Sequence, residues 1–321
     1  MKKLTFLAPC YNGESYVARF LDSVLEQTHP AIELVIVNDG SKDKTEEILT
    51  EYEKKFAERG YDYIHLSQDN TGMGGALNNG LKYVTGDYLT WFGSDDFAAP
   101  TYAEELVNFL EENKDFAVVR CEGYNVDKDD VSIIKSKFAA NNNDKHNPHL
   151  FMNAIEEKGF HFGYSVVRMS VFDEVNPKRE IYPSRQGQNW QLLLPVFYAH
   201  KSAFYEKPLY YVIDDANSVS KQPHKQYESL KKQNEEYERI LVNTLNSMDI
   251  PDRDKYLKIV EIKYIRRRLL AAMDFKVYDD VITEYKKLEK LGVVDKTDRR
   301  RYIQAKIPVI DKVAGLIRRF K

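Results

Sequence analysis

The sequence predicts an α/β fold in which a mostly parallel sheet is flanked by helices and followed by a helical C-terminal extension. Two observations predict it. Over the first 120 residues, buried-strand patterns alternate with amphipathic helical patterns, which is typical of parallel strands joined by crossover helices. From about residue 224 onward the pattern is helical and highly charged. We therefore expect one domain at 1–220, with halves at 1–120 and 121–220, and a helical region at 221–321.

Each element of the first half follows from its own periodicity. Runs of buried, apolar residues predict strands at 4–8, 32–37, 63–66, 88–92 and 116–120. Apolar residues at helical spacing, or a continuous run between these strands, predict helices at 16–27, 45–59, 75–84 and 102–112. This order of elements favours a parallel sheet that is covered by helices on both faces.

The rest of the chain is less regular. Residues 125–149 contain DKDD and NNNDKHNP, which predict a polar loop. Beyond it, a smaller mixed half is indicated by a strand, a helix and a strand at 164–168, 190–200 and 209–213. In the C-terminal region, two helices that pack on each other are predicted at 262–275 and 277–293.

Charge, cysteine content and hydropathy exclude several classes of function. The formal net charge is −3, from 47 basic and 50 acidic residues, so the whole protein gives no indication of nucleic-acid binding. Its two cysteines, Cys10 and Cys121, are too few for a disulfide framework or a four-cysteine zinc site. The apolar run Leu4–Ala8 is too short for a signal peptide, and no membrane span is predicted. We expect a cytoplasmic protein.

Polar clusters follow three of the predicted strands. PCYNGES follows the first strand, NDGSKDKT the second and GSDD the fourth. Each cluster alone is typical of a turn and a helix cap. Because the carboxyl ends of neighbouring parallel strands meet at one edge, we expect the three clusters to lie together, where ligands of such sheets bind.

The adjacent acids Asp95 and Asp96 are the most unusual residues at this edge. Adjacent acids usually belong to a solvated surface. At the carboxyl end of a buried strand, however, paired carboxylates suit a hard divalent cation, with phosphate oxygens completing its coordination. In such a site, Asp39 is placed to accept a hydrogen bond from a base or ribose, and Tyr11 to lie against the base.

The glycine-rich stretch NTGMGGALNNG, residues 70–80, has two interpretations. It allows a helix to pack closely on the sheet, or it lies near a ligand. It is not a dinucleotide-binding fingerprint, because Leu77 occupies the third glycine position, and it is not a phosphate-binding P-loop, because no Gly-Lys-Ser/Thr follows.

With these segments assembled, the chain resembles the family 2 glycosyltransferases of the bacterial polysaccharide type. The resemblance rests on PCYNGESYVARFLDSVLEQTHPAIELVIVNDGSKDKT and NTGMGGALNNGLKYVTGDYLTWFGSDD, in matching order and spacing. It implies a GT-A type Rossmann-like fold and an inverting sugar transfer from a nucleotide-activated donor, usually a UDP-sugar, with Mg or Mn. The implied nucleotide-sugar-binding residues are Pro9, Tyr11, Asn12, Glu14, Asp39, Asn70, Gly74, Asn78, Ser94 and Asp95, and the implied metal ligands are Asp95 and Asp96.

The chain departs from this family's pattern at three places. Gly93 or Ser94 stands where the metal motif usually opens with an acid, and Leu77 stands where an arginine is common. In SRQGQNWQLLLP, residues 184–195, the pair Gln188-Asn189 replaces the Glu-Asp pair that commonly supplies the base. Neutral amides position a hydroxyl but cannot take its proton. Either another residue is the base, or the acceptor is already acidic, or the protein has lost activity. The other candidates for the base are His161, Asp214, Asp215 and His224.

The predicted catalytic set is therefore Asp96, Gln188, Asn189 and His161. His224 follows NSVSKQPH, which resembles the family's closing loop over the donor, and it is a further candidate metal ligand. Whether the protein forms a homodimer stays open.

The last segment, 306–321, predicts a basic amphipathic helix. Its apolar face and flanking lysines and arginines favour peripheral contact with an anionic membrane, and docking on the protein's own body is the alternative.

Together these observations predict a metal-dependent, inverting glycosyltransferase. It would move a sugar from a UDP-sugar to a lipid-linked or cell-surface polysaccharide acceptor, at the inner membrane face. An alternative is a nucleotide-sugar-binding partner of a polysaccharide synthase complex that lacks transferase activity. A sugar-1-phosphate nucleotidyltransferase is disfavoured, because PCYNGES is not a basic glycine-rich loop.

Overall fold

The computed structural model describes residues 1–138, 146–158, 162–214 and 226–319, with the backbone alone described for 308–319. The chain divides into two compact units, Met1–Lys221 and Gln222–Lys321.

The first unit is an α/β structure, as predicted. Its described strands are β1 (Leu4–Cys10), β2 (Ile32–Asn38), β3 (Asp62–Ser67), β4 (Tyr88–Trp91), β5 (Phe97–Ala98), β6 (Phe116–Asp127), β7 (Ile134–Phe138), β8 (Ser165–Arg168) and β9 (Lys201–Asp214). Its described helices are α1 (Val17–Leu25), α2 (Thr45–Arg59), α3 (Met73–Leu81), α4 (Tyr102–Glu112), α5 (Phe151–Glu156), α6 (Met169–Val175) and α7 (Gln188–Ala199).

All described strands join one sheet, with the order β3-β2-β1-β4-β8-β6-β9-β5 and with β7 paired to β6. The four strands β3, β2, β1 and β4 are mutually parallel, and Leu7 of β1 lies opposite Val35 on one side and Trp91 on the other. Strand β8 then runs antiparallel to both β4 and β6. Strand β9 is parallel to β6, and β5 is antiparallel to β9. The sheet is therefore parallel in the half formed by β3, β2, β1 and β4, which carries the three polar clusters.

Both faces of this parallel half are buried, which explains its continuous apolar runs. Phe6 of β1 packs with Phe92 and Tyr102 on the face covered by α1, α2 and α4. The opposite face is covered by α3, where a side chain at Gly80 would overlap Leu7 of β1. The glycine in this helix therefore permits its close approach to the sheet.

The prediction of a polar loop over residues 125–149 was wrong in its first part. Strand β6 continues to Asp127 and forms a hairpin with β7. The charged residues belong to the turn: Asp127 accepts hydrogen bonds from the N–H groups of Asp129 and Asp130 and pairs with Lys135 at 2.7 Å. The charge density that indicated a loop instead stabilises the hairpin connection.

The second unit is helical, as predicted, with α8 (Tyr227–Ser247), α9 (Arg253–Asp274), α10 (Tyr278–Lys290) and α11 (Lys296–Arg319). Leu269 and Ala272 of α9 pack against Val281 and Leu288 of α10. The nearly buried Arg268 pairs with Glu284 at 3.2 Å, so its charge is neutralised within the unit. None of the helices described here has a stretch long and apolar enough to cross a lipid bilayer.

A buried carboxylate, Glu33, joins the amino-terminal ends of the parallel strands. It is 1% exposed and accepts hydrogen bonds from the Thr5 hydroxyl at 2.6 Å and the Thr85 N–H at 2.8 Å, and Lys3 lies 3.3 Å away. Burial alone would raise the pKa of Glu33, but these hydrogen bonds and the lysine charge together hold it below the ordinary value. Glu33 thus ties β2 to β1 and to the turn before β4.

We expect Glu33→Gln to lower the free energy of unfolding of the first unit by about 1–3 kcal/mol at pH 7, because buried donors lose their charged acceptor. Folding lowers the pKa of Glu33, so the ionised carboxylate stabilises the folded state at pH values above the pKa of the unfolded chain. This stabilisation is lost as the pH falls through the pKa of Glu33 in the folded state. Urea unfolding is followed by tryptophan fluorescence, because both tryptophans, Trp91 and Trp190, lie in this unit.

The exposed Glu51→Gln on α2 is the matched control, with an expected change within about 0.5 kcal/mol. The loss of free energy of unfolding in Glu33→Gln should become smaller below about pH 4. The role assigned to Glu33 would be contradicted if this loss stayed constant with pH, or if it were no larger than the change in Glu51→Gln.

Candidate functional site

The three polar clusters meet at one edge of the sheet, which confirms that prediction. Strand β1 lies between β2 and β4 and is parallel to both, so the three carboxyl ends are adjacent. The Asp39 N–H donates to the Cys10 carbonyl at 2.8 Å and links the first two clusters. The Phe92 N–H, directly before the third cluster, donates to the Leu7 carbonyl of β1 at 3.0 Å.

The first two loops are bound together through side chains singled out in the sequence. Asn12, with φ at 50°, accepts a hydrogen bond from the Lys42 N–H at 2.8 Å, and its own N–H donates to Ser41 at 2.9 Å. The Glu14 carboxylate accepts from the Lys44 N–H at 3.0 Å. Asn12 and Glu14 therefore shape the rim of the site through these loop contacts, and their contact with a donor stays a prediction.

Pro9 and Tyr11 at this rim differ in exposure. Pro9 lies in β1 opposite Val37 and is partly buried. The Tyr11 side chain is 47% exposed, and its carbonyl accepts the Tyr16 hydroxyl at 3.0 Å. The Tyr11 ring is therefore held at the surface of the edge while its backbone is fixed.

Asp39 is buried, at 3% exposure, and it organises the loop that precedes α3. One carboxylate oxygen, Oδ1, accepts hydrogen bonds from the Thr71 N–H and the Gln68 amide, both at 2.8 Å. The other, Oδ2, accepts the Gly72 N–H at 2.8 Å. Because Oδ2 has only this one donor among the described residues, it keeps acceptor capacity for a further hydrogen bond.

The acids after β4 occupy a tight turn in which the Asp96 N–H donates to the Gly93 carbonyl at 3.1 Å. Asp95 is exposed, whereas Asp96 is only 8% exposed. Asp96 accepts hydrogen bonds from the Tyr164 hydroxyl at 2.5 Å and the Ile213 N–H at 2.9 Å. The two adjacent acids thus lie in different environments, one open to ligands and one held by the protein.

The environment of this turn disfavours ionisation of Asp96 next to a charged Asp95. Burial and then the charge of Asp95 raise the pKa of Asp96 to about 7, although the bonds from Tyr164 and Ile213 favour the ionised form. Arg19 of α1 donates to the Asp95 carbonyl at 3.0 Å, and its guanidinium lies 5.6 Å from the centre of the Phe97 ring. A cation bound at this turn would therefore relieve a repulsion that folding creates.

A second segment, 181–189, lies against α3 and borders the same edge. The Asn78 side-chain amide donates to the Ile181 carbonyl and accepts the Ile181 N–H, each at 2.8 Å. The Gly74 N–H donates to the Ser184 carbonyl at 2.9 Å. A side chain at Gly74 would contact Ser184 backbone atoms at 2.7 Å. These contacts give Gly74 and Asn78 a structural function, and their proximity to a donor stays a prediction.

The same segment contributes three further side chains near the edge. Arg185 donates to the Asn70 side chain at 3.2 Å and packs over Gly72. At the first turn of α7, Gln188 is buried and donates to the Ser184 carbonyl at 3.1 Å. Asn189 accepts the indole N–H of Trp91, the last residue of β4, at 2.7 Å. The amide pair therefore lies beside the strand that leads into Asp95 and Asp96.

The protein side chains at the edge do not form a complete metal cage. Across the described ranges, no group of three or more His, Cys, Asp or Glu side chains is arranged to hold an ion. The donor set present is one exposed and one buried carboxylate, which is the set that suits Mg or Mn when phosphate oxygens complete the coordination. Asp95 and Asp96 thus fit a cation that is shared with a diphosphate.

Some predicted residues lie outside the described part of the chain. These are His161, Asp215 and His224. Asp214 ends the described part of β9, and Lys135 lies 3.8 Å from its carboxylate.

Sequence reasoning missed three residues that contact the site. Arg19 lies in α1, Tyr164 directly precedes β8, and Arg185 lies in the segment before α7. Each reaches its partner across 68 to 115 residues of sequence. Local spacing carries no signal for such contacts.

Comparison with known proteins identifies the family. A family model described as Glycosyl transferase family 2 matches residues 5–175, just over half of the chain. The chain is 41% identical over 123 residues to an uncharacterized glycosyltransferase of Rickettsia typhi, covering 38% of this chain and 36% of that protein. It is 34% identical over 110 residues to the minor teichoic acid biosynthesis protein GgaB of Bacillus subtilis, covering 34% and 12%. The match thus spans about a third or less of these relatives.

Solved structures share the fold over a much longer stretch. The crystal structure of S. aureus TarS 1–349 aligns with a TM-score of 0.61 at 17% identity, covering 94% of this chain and 88% of that 1–349 fragment. The mannosyltransferase PcManGT from Pyrobaculum calidifontis aligns with a TM-score of 0.51 at 14% identity, covering 98% and 87%. These similarities confirm the predicted GT-A type fold. By the match of its first half, the chain belongs to glycosyl transferase family 2.

Proposed function

We propose that the protein is a metal-dependent glycosyltransferase that moves a sugar from a UDP-sugar to a cell-surface or lipid-linked glycan acceptor, with inversion. The observation that carries this proposal is the pair Asp95 and Asp96 at the shared carboxyl edge of β1, β2 and β4, where Asp96 is buried and already oriented. Family membership supports the reaction class.

UDP as the nucleotide is supported by similarity and by the rim of the site. Crystal structures of TarS 1–349 contain UDP-GlcNAc and UDP. In the present chain, the free acceptor capacity of Asp39 suits the N–H of a uracil or a ribose hydroxyl, and the exposed ring of Tyr11 suits contact with a base. UDP binding to the wild-type protein tests this assignment, and equal affinity for GDP would contradict it.

A divalent cation is supported by the donor set. Asp96 and Asp95 would hold it, and PcManGT has been solved with GDP-Man and Mn2+. When bound, such an ion supplies Lewis-acid stabilisation of the departing diphosphate. Both acids have partners on the protein: the Tyr164 hydroxyl and the Ile213 N–H donate to the Asp96 carboxylate, and Arg19 donates to the Asp95 carbonyl.

Inversion requires the acceptor hydroxyl to approach the face of the sugar opposite the diphosphate. The segment at 184–189 borders the donor edge and is the site proposed for the acceptor. Because Asn189 Oδ1 accepts from Trp91, its amino group is left to donate to a hydroxyl oxygen. Asn189 would position the hydroxyl without taking its proton, and the anomeric configuration of the product tests inversion.

The acceptor is proposed to be a bacterial envelope glycan, as the relationship to GgaB supports. Contact with an anionic membrane is proposed through α11 and the residues that follow it. Ile303 and Ile307 of α11 are 54% and 60% exposed and lie one helical turn apart. Arginines at 299–301 and Lys306 flank them, so apolar and cationic groups lie on one helix.

We expect Asp96→Asn to lower metal-dependent turnover by roughly 10²-fold or more, because a key electrostatic group is lost. The readout is UDP release from UDP-sugars, starting with UDP-GlcNAc, with and without MnCl2. The melting temperature of the variant should stay near that of the wild type, because removal of a buried charge offsets the loss of one acceptor oxygen for Tyr164 or Ile213.

The control for this variant is Asp115→Asn, whose side chain is 85% exposed, and its turnover should equal that of the wild type. Unchanged turnover in Asp96→Asn would exclude the metal assignment.

A second expected outcome concerns the amide pair. Asn189→Asp keeps the hydrogen bond from Trp91 and adds a carboxylate, so the rate of UDP release in the absence of acceptor, where water is the nucleophile, should rise about 10-fold or more. Metal-dependent UDP affinity should not change. A rate equal to or below that of the wild type would show that this position does not face the attacking hydroxyl.

Membrane contact is tested by cosedimentation with lipid vesicles. The wild type should bind vesicles containing phosphatidylglycerol more strongly than vesicles of phosphatidylcholine alone, and Ile307→Glu should weaken that binding several-fold. Ile133→Glu, at an exposed isoleucine of the first unit, is the control. Equal sedimentation with both vesicle types would contradict the proposal.

A further inference from the structure

A single hydroxyl group, that of Tyr164, bonds to both ends of the turn that carries the two acids. It accepts a hydrogen bond from the Gly93 N–H at 3.1 Å and donates to Asp96 Oδ2 at 2.5 Å. The turn between them is closed by the Asp96 N–H on the Gly93 carbonyl at 3.1 Å. The geometry of the turn and the orientation of its buried carboxylate therefore depend on one side-chain oxygen.

The ring that carries this hydroxyl is fixed by packing. It stacks on Phe92 with ring centres 3.9 Å apart and planes at 1°, and it meets Tyr210 edge-on at 5.0 Å. Phe92 follows β4 directly, and Tyr164 precedes β8, its antiparallel neighbour. Since the ring cannot turn without disrupting this stack, the position of the hydroxyl is set before any ligand binds.

The other oxygen of Asp96 is fixed by the backbone of β9. Its Oδ1 accepts the Ile213 N–H at 2.9 Å, so each carboxylate oxygen has a partner on the protein. An ionised carboxylate oxygen has two lone-pair sites, so each oxygen retains one for a further ligand. The two partners define the plane of the carboxylate and the direction in which the free lone pairs point.

We propose that Tyr164 is a positioning residue that orients Asp96 for a divalent cation shared with the donor diphosphate. This inference rests on the proposed function. Groups that hydrogen-bond to metal ligands orient them, and their loss commonly weakens metal affinity about 10–100-fold. Tyr164 acts through Asp96, so its hydroxyl affects cation binding more than it affects the fold.

The structure provides a matched pair of variants. Tyr164→Phe removes the hydroxyl and keeps the stack on Phe92. Tyr210→Phe removes a buried hydroxyl from the neighbouring ring, and that hydroxyl has no hydrogen-bond partner within the described residues. Both substitutions delete one oxygen from the same aromatic cluster, but only one of the two oxygens contacts Asp96.

The experiment measures Mn2+ binding by electron paramagnetic resonance of free Mn2+ in the presence of saturating UDP, together with the melting temperature of each variant. Tyr164→Phe should weaken Mn2+ binding about 10-fold or more, and Tyr210→Phe should leave it within twofold of the wild type. A loss of Mn2+ affinity that is equal in the two variants, or no loss in Tyr164→Phe, overturns the inference. So does a loss that is accompanied by an equal loss of UDP affinity without metal, because that pattern indicates general disruption.

Mn2+ binding to the wild-type protein in the presence of UDP shows whether the proposed function fails or only the inference about Tyr164 fails. If UDP does not promote Mn2+ binding to the wild type, the proposed function fails, and the role of Tyr164 fails with it. If the wild type binds Mn2+ with UDP and Tyr164→Phe binds it equally well, only the inference about Tyr164 fails.

Discussion

The parallel alignment of β1 between β2 and β4 is the constraint on which the rest of the structure depends. It brings the loops after three strands to one edge, so that residues 12, 39 and 96 lie along the same edge although they are far apart in the chain. Glu33 secures the opposite end of the same strands through Thr5 and Thr85. Because both faces of this sheet are covered, the open edge is where its polar residues can meet a ligand.

The two acids at that edge, which we propose as cation ligands, oppose folding of the free protein. Burial and the neighbouring charge of Asp95 raise the pKa of Asp96, which means that its ionised form is held at an energetic cost. The bonds from Tyr164 and Ile213 offset part of that cost and fix the carboxylate. Such an energetic cost is commonly found where a protein exchanges some stability for function, and a bound cation would reduce it.

The sequence predicted the parallel half well, because its strands and helices have strong local periodicity. The meeting of the three polar clusters at one edge was also predicted, because it follows from parallel pairing of their strands. It failed at residues 125–138, where the charged turn residues indicated a loop and the structure has the β6–β7 hairpin. It also missed Tyr164 and Arg19, whose contacts with the acids depend on how the chain returns to the sheet after β4. Tertiary contacts of this kind leave no pattern in one stretch of sequence.

The most direct test of the account is a calorimetric titration of UDP into the wild-type protein with and without MnCl2. If Asp95 and Asp96 hold a cation against a diphosphate, UDP will bind about 10-fold more tightly, or better, when Mn2+ is present. Equal UDP affinity in both conditions would contradict a metal role for the two acids. No binding of UDP in either condition would contradict the nucleotide assignment as well.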